Sequence, residues 1–192
     1  MSNRQSGLIF VFAAPSGGGK SSLVKALLER DPNIVLSVSH TTRSPRPGEQ
    51  DGVHYHFVSP EEFLRKKEKG DFIETAEVFG NYYGTSRQAI LDKTEMGKDV
   101  ALDIDWQGAR QIRQLFPQNS FGIYILPPSM DILEQRLRNR GQDDEETIRY
   151  RMQQAEEELS HQDEFDFKVV NDEFEKALQE IQYIVSRCRM DR

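Results

Sequence analysis

The sequence predicts an α/β fold: a central parallel sheet flanked by helices, with an inserted mixed α+β segment. Three observations carry this prediction. The apolar run Leu8–Ala13 leads into a glycine cluster and then a helical pattern, the opening of a nucleotide-binding α/β fold. From about residue 86 onward, short apolar runs alternate with helix-like stretches, as βαβ units require. Between these two regions, residues 34–84 are rich in turn residues and short alternating runs.

Leu8–Ala13 is continuously apolar and rich in β-formers, as a strand buried on both faces should be. Ser21–Arg30 sets Val24, Leu27 and Leu28 on one helical face. In "VHYHFV", Val53, Tyr55 and Phe57 alternate with His54 and His56. That alternation predicts a half-buried strand. With "RSPRPGEQDG" before it and "DFIETAEVFG" after it, the stretch reads as an antiparallel insertion. Ser86–Met96 is helical. "DVALDID", Asp99–Asp105, is a strand with an acidic tail, and a helix starts at Trp106. "FGIYIL" from Phe121 is a strand closed by Pro127 and Pro128. Asp131–Arg140 is a helix stopped by Gly141. Asp143 with Glu146 three residues on has the form of a capping box. The helix it would start carries the stripe Ile148, Met152, Ala155 and Leu159. "FKVVN" is the last strand and Glu173–Arg189 the last helix. Cys188 falls on that helix's stripe with Phe174, Ala177, Leu178, Ile181, Ile184 and Val185, which makes it a core residue. Trp106 and Met130 read as packing. No repeat, low-complexity segment or long linker divides the 192 residues, so one domain is expected.

Lys and Arg number 25 against 32 Asp and Glu, a formal net charge of −7. A global affinity for nucleic acid or an anionic membrane is therefore not expected, and an anionic ligand must meet a local cluster of positive charge. Cys188 is the single cysteine, so no internal disulfide is possible and a reducing compartment fits. The N-terminal apolar run is too short to span a bilayer. A cytoplasmic protein is expected, and the sequence leaves monomer and homo-oligomer both open.

The segment "APSGGGKSSL", Ala14–Leu23, carries the chemistry. The end of the phosphate-loop pattern is matched by Gly19, Lys20 and Ser21, whereas its first position is Ala14 instead of glycine. Gly17, Gly18 and Gly19 allow successive N–H groups to converge on an anion, and the helix behind them adds its positive end. Lys20 can reach terminal phosphates, and the Ser21 hydroxyl can ligate Mg²⁺. Asp103 and Asp105, two apart at a predicted strand's carboxyl end, would share a face. There they could hold Mg²⁺ through water or accept donors from a substrate. Arg43 and Arg46, around a proline, suit a second phosphate because guanidinium forks match its oxygens. Two anion sites on one α/β scaffold suggest phosphoryl transfer between two nucleotides. His54 and His56 have metal-compatible spacing, but strand alternation explains them as a polar face.

"APSGGGKSSL", "SHTTRSPRPGEQDGVHYHFV", "GDFIETAEVFGNYYGTS", "LDIDWQGA" and "KVVND" occur in this order from Leu8 to the last helix. Together they resemble the guanylate kinase family, whose bacterial members tolerate alanine at the first loop position. The resemblance implies a P-loop kinase with a GMP-binding insertion and a helical lid. It would move the γ-phosphoryl group of MgATP to GMP or dGMP, giving ADP and GDP, in purine metabolism and GMP recycling. Domain boundaries would be a core of 1–36, 86–136 and 158–192, an insertion at 37–85 and a lid at 137–157. By the same resemblance, Ala14, Pro15, Ser16, Gly17, Gly18, Gly19, Lys20, Ser21 and Ser22 would hold ATP, with Asn171 near the adenine. Ser21 and Asp105 would serve the metal. Arg43, Arg46, Tyr55 and Tyr83 would hold the GMP phosphate, with Glu49 also in the substrate-binding set. Ser39, Glu74 and Thr85 would read the guanine, with Asp103 nearby. A carboxylate at Glu74 could accept from guanine N1–H and N2–H₂ together, a donor pair adenine lacks. Arg136, Arg140 and Arg151 would close over the phosphates and join Lys20 and Arg43 as the catalytic set. Arg138 and Arg149 read as surface salt-bridge partners. No covalent nucleophile is needed, and the insertion and lid would close on substrate to exclude water.

Three rivals fit parts of this pattern. A kinase for another nucleotide conflicts with Glu74 and Ser39 in their motif context. A non-catalytic binding module of the same fold would lack the phosphate loop, whereas Gly19, Lys20 and Ser21 are present. A kinase for a phosphorylated sugar would not need guanine-reading residues.

Overall fold

The computed structural model describes residues 6–141 and 143–191. Met1–Gln5 of the expected core, Gln142 of the expected lid and Arg192 lie outside the described residues. In chain order the elements are β1 (Ile9–Ala13), α1 (Lys20–Arg30), β2 (Ile34–Leu36), β3 (His40–Thr41), β4 (His56–Phe57) and α2 (Pro60–Glu68). There follow β5 (Phe72–Val78), β6 (Asn81–Ser86), α3 (Arg87–Glu95), β7 (Asp99–Asp103) and α4 (Trp106–Leu115). The chain ends with β8 (Ser120–Leu126), α5 (Met130–Arg140), α6 (Glu145–Ser160), β9 (Phe167–Val170) and α7 (Phe174–Met190). The fold is α/β, a central parallel sheet flanked by helices. Two compact units are distinguished: Met1–Ile9 with Asn33–Ser120, and Phe10–Pro32 with Phe121–Arg192. The expected insertion falls within the first and the expected lid within the second.

In the first unit β2 runs parallel to β7, with Ile34 opposite Asp99 and Leu36 opposite Ala101. Val100, Ala101 and Leu102 are fully buried, as an apolar run in a parallel sheet requires. A second sheet has the order β4-β3-β6-β5. Its β3–β6 and β5–β6 pairs are antiparallel, but β3 and β4 are parallel, so the expected antiparallel insertion is a mixed sheet. The expected strand over "VHYHFV" begins as turn, at Val53 and His54. Gly52 has φ 75°, and the Val53 and His54 N–H groups both donate to the Gln50 carbonyl, at 3.2 and 3.1 Å. These local bonds fold the stretch back and leave Val53 55% exposed. Only His56–Phe57 continues as strand, with His56 N–H donating to the Ser39 carbonyl at 2.8 Å.

In the second unit β8 runs parallel to β9, and every residue of β1 is buried. Helix α7 packs on α1 and β9 through Ala177, Leu178, Ile181, Ile184, Val185 and Cys188, while Phe174 at its start is partly exposed. Gly141 ends α5 at φ 65°, as its position after a helical run predicts. The next helix is capped by Asp144, whose side chain accepts from Thr147 N–H at 2.8 Å. The capping box expected from Asp143 is therefore displaced by one residue, because the adjacent acids compete for one position and Asp143 is occupied by arginines. No helix among the described residues is long and apolar enough to cross a membrane.

Candidate active site

The second unit holds the glycine loop between β1 and α1. Gly17 and Gly19 adopt φ 87° and 84°, the left-handed region where a side chain is strained. The Gly18 N–H donates to the Pro15 carbonyl at 2.9 Å and closes the turn. Gly19 occupies the N-cap of α1 and offers no side chain to cap it, so the helix presents its positive end uncapped by a side chain, as an anion-binding helix start does. Space also selects glycine here. A Cβ on Gly17 would meet the Leu133 and Leu137 methyls at 3.1 Å, and one on Gly19 would collide with Asn171 Nδ2.

Asn171 is 6% exposed. Its Nδ2 donates to the Gly18 carbonyl at 3.0 Å, and its own carbonyl accepts from Arg136 Nη2 at 2.8 Å. Beside the adenine contact expected of it, this side chain has a second task, tying the loop. Arg136 is left with a buried Nη1 that has no hydrogen-bond partner among the described residues. That is a donor a phosphate oxygen would satisfy. Arg140 Nη2 and Arg151 Nε converge on Asp143 Oδ2, at 3.1 and 3.2 Å. Arg151 Nη1 also donates to Ser16 Oγ at 3.0 Å, and Ser16 N–H donates to Glu158 Oε2 at 3.3 Å. The structure thus brings Arg136 and Arg151 to the loop and joins Arg140 to Arg151. Arg138 pairs with Glu134 and Glu145 on the surface, as expected of a solvated helix. Sequence reasoning missed Asp143 as the anchor of two arginines. Its spacing of three from Arg140 was the available signal.

The first unit holds the second constellation. Arg43 forms a forked pair with Glu49, Nη2 to Oε1 at 2.8 Å and Nη1 to Oε2 at 3.0 Å. Its guanidinium carbon lies 5.4 Å from the Tyr55 ring centre, and Tyr55 meets the Tyr83 ring edge-on at 6.0 Å. The Arg46 N–H donates to Glu49 Oε2 at 2.7 Å. Partial burial opposes ionisation of Glu49, but the Arg43 fork and the Arg46 N–H outweigh it and hold the carboxyl below its ordinary value. Glu49 is thus the strut that holds the Arg43 guanidinium and the Arg46 backbone.

Glu74 sits in β5 directly after a bulge between Phe72 and Glu74. Bulges re-aim side chains, and this one coincides with a carboxyl only 3% exposed. Glu74 lies opposite Thr85 in β6, whose hydroxyl donates to its Oε1. Burial pushes the carboxyl up to about 7 and the charge of Asp105 adds to the rise, against the opposing pull of Thr85. Ser39, 6% exposed, precedes His40, which lies opposite Gly84. Ser39, Thr85 and Glu74 therefore come to one level of three neighbouring strands.

The acidic tail of β7 is shorter than predicted. The strand ends at Asp103, and Asp105 is the N-cap of α4. Asp105 Oδ1 accepts from Gly108 N–H at 3.0 Å, and its Oδ2 accepts from Gln107 Nε2 at 2.9 Å. A shared strand face for Asp103 and Asp105 is thus overturned, because a helix start demands a cap. Each Asp105 oxygen thus accepts one hydrogen bond and keeps a further lone pair. No group of three or more potential metal ligands occurs among the described residues.

Residues 6–188 match the family model described as guanylate kinase. A guanylate kinase of Pseudoalteromonas translucida is 56% identical over 184 residues, 96% of this chain and 89% of that protein. One of Vibrio parahaemolyticus is 56% identical over 186 residues, again 96% and 89%. Among solved structures, the guanylate kinase of Anaplasma phagocytophilum is similar with a TM-score of 0.82 and 38% identity, covering 96% of this chain and 87% of that one. A gluconokinase of Sinorhizobium meliloti, at 18% identity and a TM-score of 0.52 over 96% and 94%, shares the fold alone.

Proposed function

The chain belongs to the guanylate kinase family, and from that premise we infer that it transfers the γ-phosphoryl group of MgATP to GMP, giving ADP and GDP. The observation that carries the choice of acceptor is Glu74, a carboxyl buried beside Thr85. A buried carboxylate needs donors, and the N1–H and N2–H₂ of guanine supply two. The guanine edge of dGMP is the same, so dGMP is a second acceptor. Such a kinase serves purine nucleotide metabolism and GMP recycling. The lone cysteine, Cys188, is buried and forms no disulfide, which suits a reducing cytoplasm.

The loop of Ala14–Ser22 would cradle the ATP phosphates, with Lys20 on the terminal ones. Ser21, in the first turn of α1, would hold Mg²⁺, which supplies charge neutralisation at the phosphate oxygens. The glycine cradle and the uncapped helix start fit this assignment. Arg136, with its spare Nη1, and the Arg140–Arg151 pair would offset charge on the transferring group. Arg43 and Arg46, held by Glu49, would seat the GMP phosphate with Tyr55 and Tyr83. Asp103 would lie near the base.

ADP release from MgATP, with GMP, dGMP, AMP, CMP and UMP offered separately, tests the reading. Turnover with GMP and dGMP alone is expected. GMP binding with no ADP release from any nucleotide would replace it with a binding module. A second expectation concerns Asn171. Asn171→Ala removes the tie to Gly18, so initial rates should show KM for ATP rising roughly tenfold with KM for GMP unchanged, since one buried hydrogen bond ordering a loop is worth on the order of 1 kcal/mol. Equal change in both KM values would count against a loop-specific role.

A further inference from the structure

We propose that Gln111 is a positioning residue for base selection: its amide locks the edge strand β5 to helix α4 and so fixes the carboxylate of Glu74. The proposal rests on the reading of Glu74 as the guanine reader. Strand β5 is at the edge of the sheet β4-β3-β6-β5, so every second residue turns its backbone N–H and C=O away from β6. Thr75 is such a residue. Its N–H donates to Gln111 Oε1 at 3.0 Å, and its carbonyl accepts from Gln111 Nε2 at 2.7 Å. One side-chain amide thereby makes the two bonds a neighbouring strand would make. One helical turn earlier, Gln107 Nε2 donates to the carbonyl of Glu77 at 3.1 Å. Glu77 is the next outward-facing position along β5, so helix α4 continues the ladder with side chains.

The consequence falls on Glu74, the neighbour of Thr75. Gly108 lies between the two glutamines, and a Cβ there would stand 2.5 Å from Glu74 Oε2 and 3.0 Å from Ile104 Cδ1. The helix therefore approaches so closely that only glycine fits against the carboxylate. On the other side Thr85 holds Oε1. The carboxylate is confined between Thr85 and Gly108, and the distance between those walls is set by the Gln111 clamp. Two donors on guanine read this carboxylate at once, so a small displacement affects GMP more than IMP, which shares N1–H but has no 2-amino group.

The test compares kcat/KM for GMP and IMP in the wild type and in Gln111→Met, which keeps length but loses both hydrogen bonds. Gln111→Met should cut the GMP-to-IMP ratio about tenfold, the scale of a sub-ångström misplacement, with KM for ATP unchanged. The Thr75 amide should exchange faster with solvent in the unliganded variant. Gln107→Met, which loses its bonds to Glu77 and Asp105 but leaves the Thr75 clamp intact, should keep the ratio within about threefold. If Gln111→Met gives no cooperative melt, Gln111→Asn, one methylene shorter with the same amide, takes its place. An equal fall for GMP and IMP, an unchanged ratio, or an unchanged Thr75 exchange rate overturns the inference while leaving the proposed function standing. A wild type that turns over neither nucleotide removes the premise and the inference with it.

Discussion

Lys20→Met is expected to lower kcat for ADP formation from MgATP and GMP by about 10²–10³-fold, the usual effect of removing one preorganised donor from a site of developing charge. Lys20 opens α1 immediately after the left-handed Gly19, where the helix end and the loop N–H groups already favour negative charge. On the proposed reading, an ammonium there would act on the terminal phosphates as the γ-phosphoryl group leaves. The loop itself is held by other groups. Asn171 ties Gly18, and the Gly18 N–H closes on Pro15. The variant should therefore melt cooperatively within a few degrees of the wild type. Lys20→Arg should not rescue it, since a bulkier planar fork cannot replace a compact ammonium in a closed cradle. A kcat within threefold of wild type would remove Lys20 from the donor site.

The shape of the glycine loop was legible because its signals are local: an apolar run, three glycines, Lys-Ser and a helical stripe define strand, turn and helix without distant information. What ties the loop was not legible. Asn171 reaches Gly18 across 153 residues of sequence, and its motif points equally well to a nucleotide contact. Acidic residues were the least readable class. Asp105 follows a strand and begins a helix, and periodicity places it on either. Capping geometry decided for the helix. Asp143 and Asp144 are adjacent acids before one helix, and only the positions of Arg140 and Arg151 separate cap from anchor. In "VHYHFV" a correct period-2 pattern failed because Gly52 and the Gln50 carbonyl bend the chain locally. The burial of Glu74 was hidden for the opposite reason. A bulge interrupts the β5–β6 register just before it, so alternation along the strand does not report its environment.

That burial makes Glu74 the source of the second large effect. Glu74→Gln should lower kcat/KM for GMP by about 10²–10³-fold with little change in KM for ATP, because an amide presents a donor to guanine's own donors and leaves a buried polar group unpaired. The wild type carries a pH signature that the variant lacks. Burial lifts the Glu74 carboxyl from 4.5 to about 7, whereas reading two donors requires the carboxylate. GMP affinity of the wild type should therefore rise with pH up to about 7 and level off above it, with a proton released on binding at pH 6. Calorimetry in buffers of different ionisation enthalpy would detect that proton. Stability runs the other way. A carboxyl whose folded value is raised contributes stability that is fully present below about 4.5 and is lost as pH rises through about 7. Gln does not ionise and loses nothing, so Tm of Glu74→Gln minus that of the wild type should grow from pH 5 to pH 8. The full span is on the order of 3 kcal/mol. A Tm difference that stays flat over this range would mean that Glu74 ionises as an ordinary carboxylate. The GMP affinity would then lose its pH dependence as well, since the same burial links the cost of the free carboxylate to the selectivity of the occupied one.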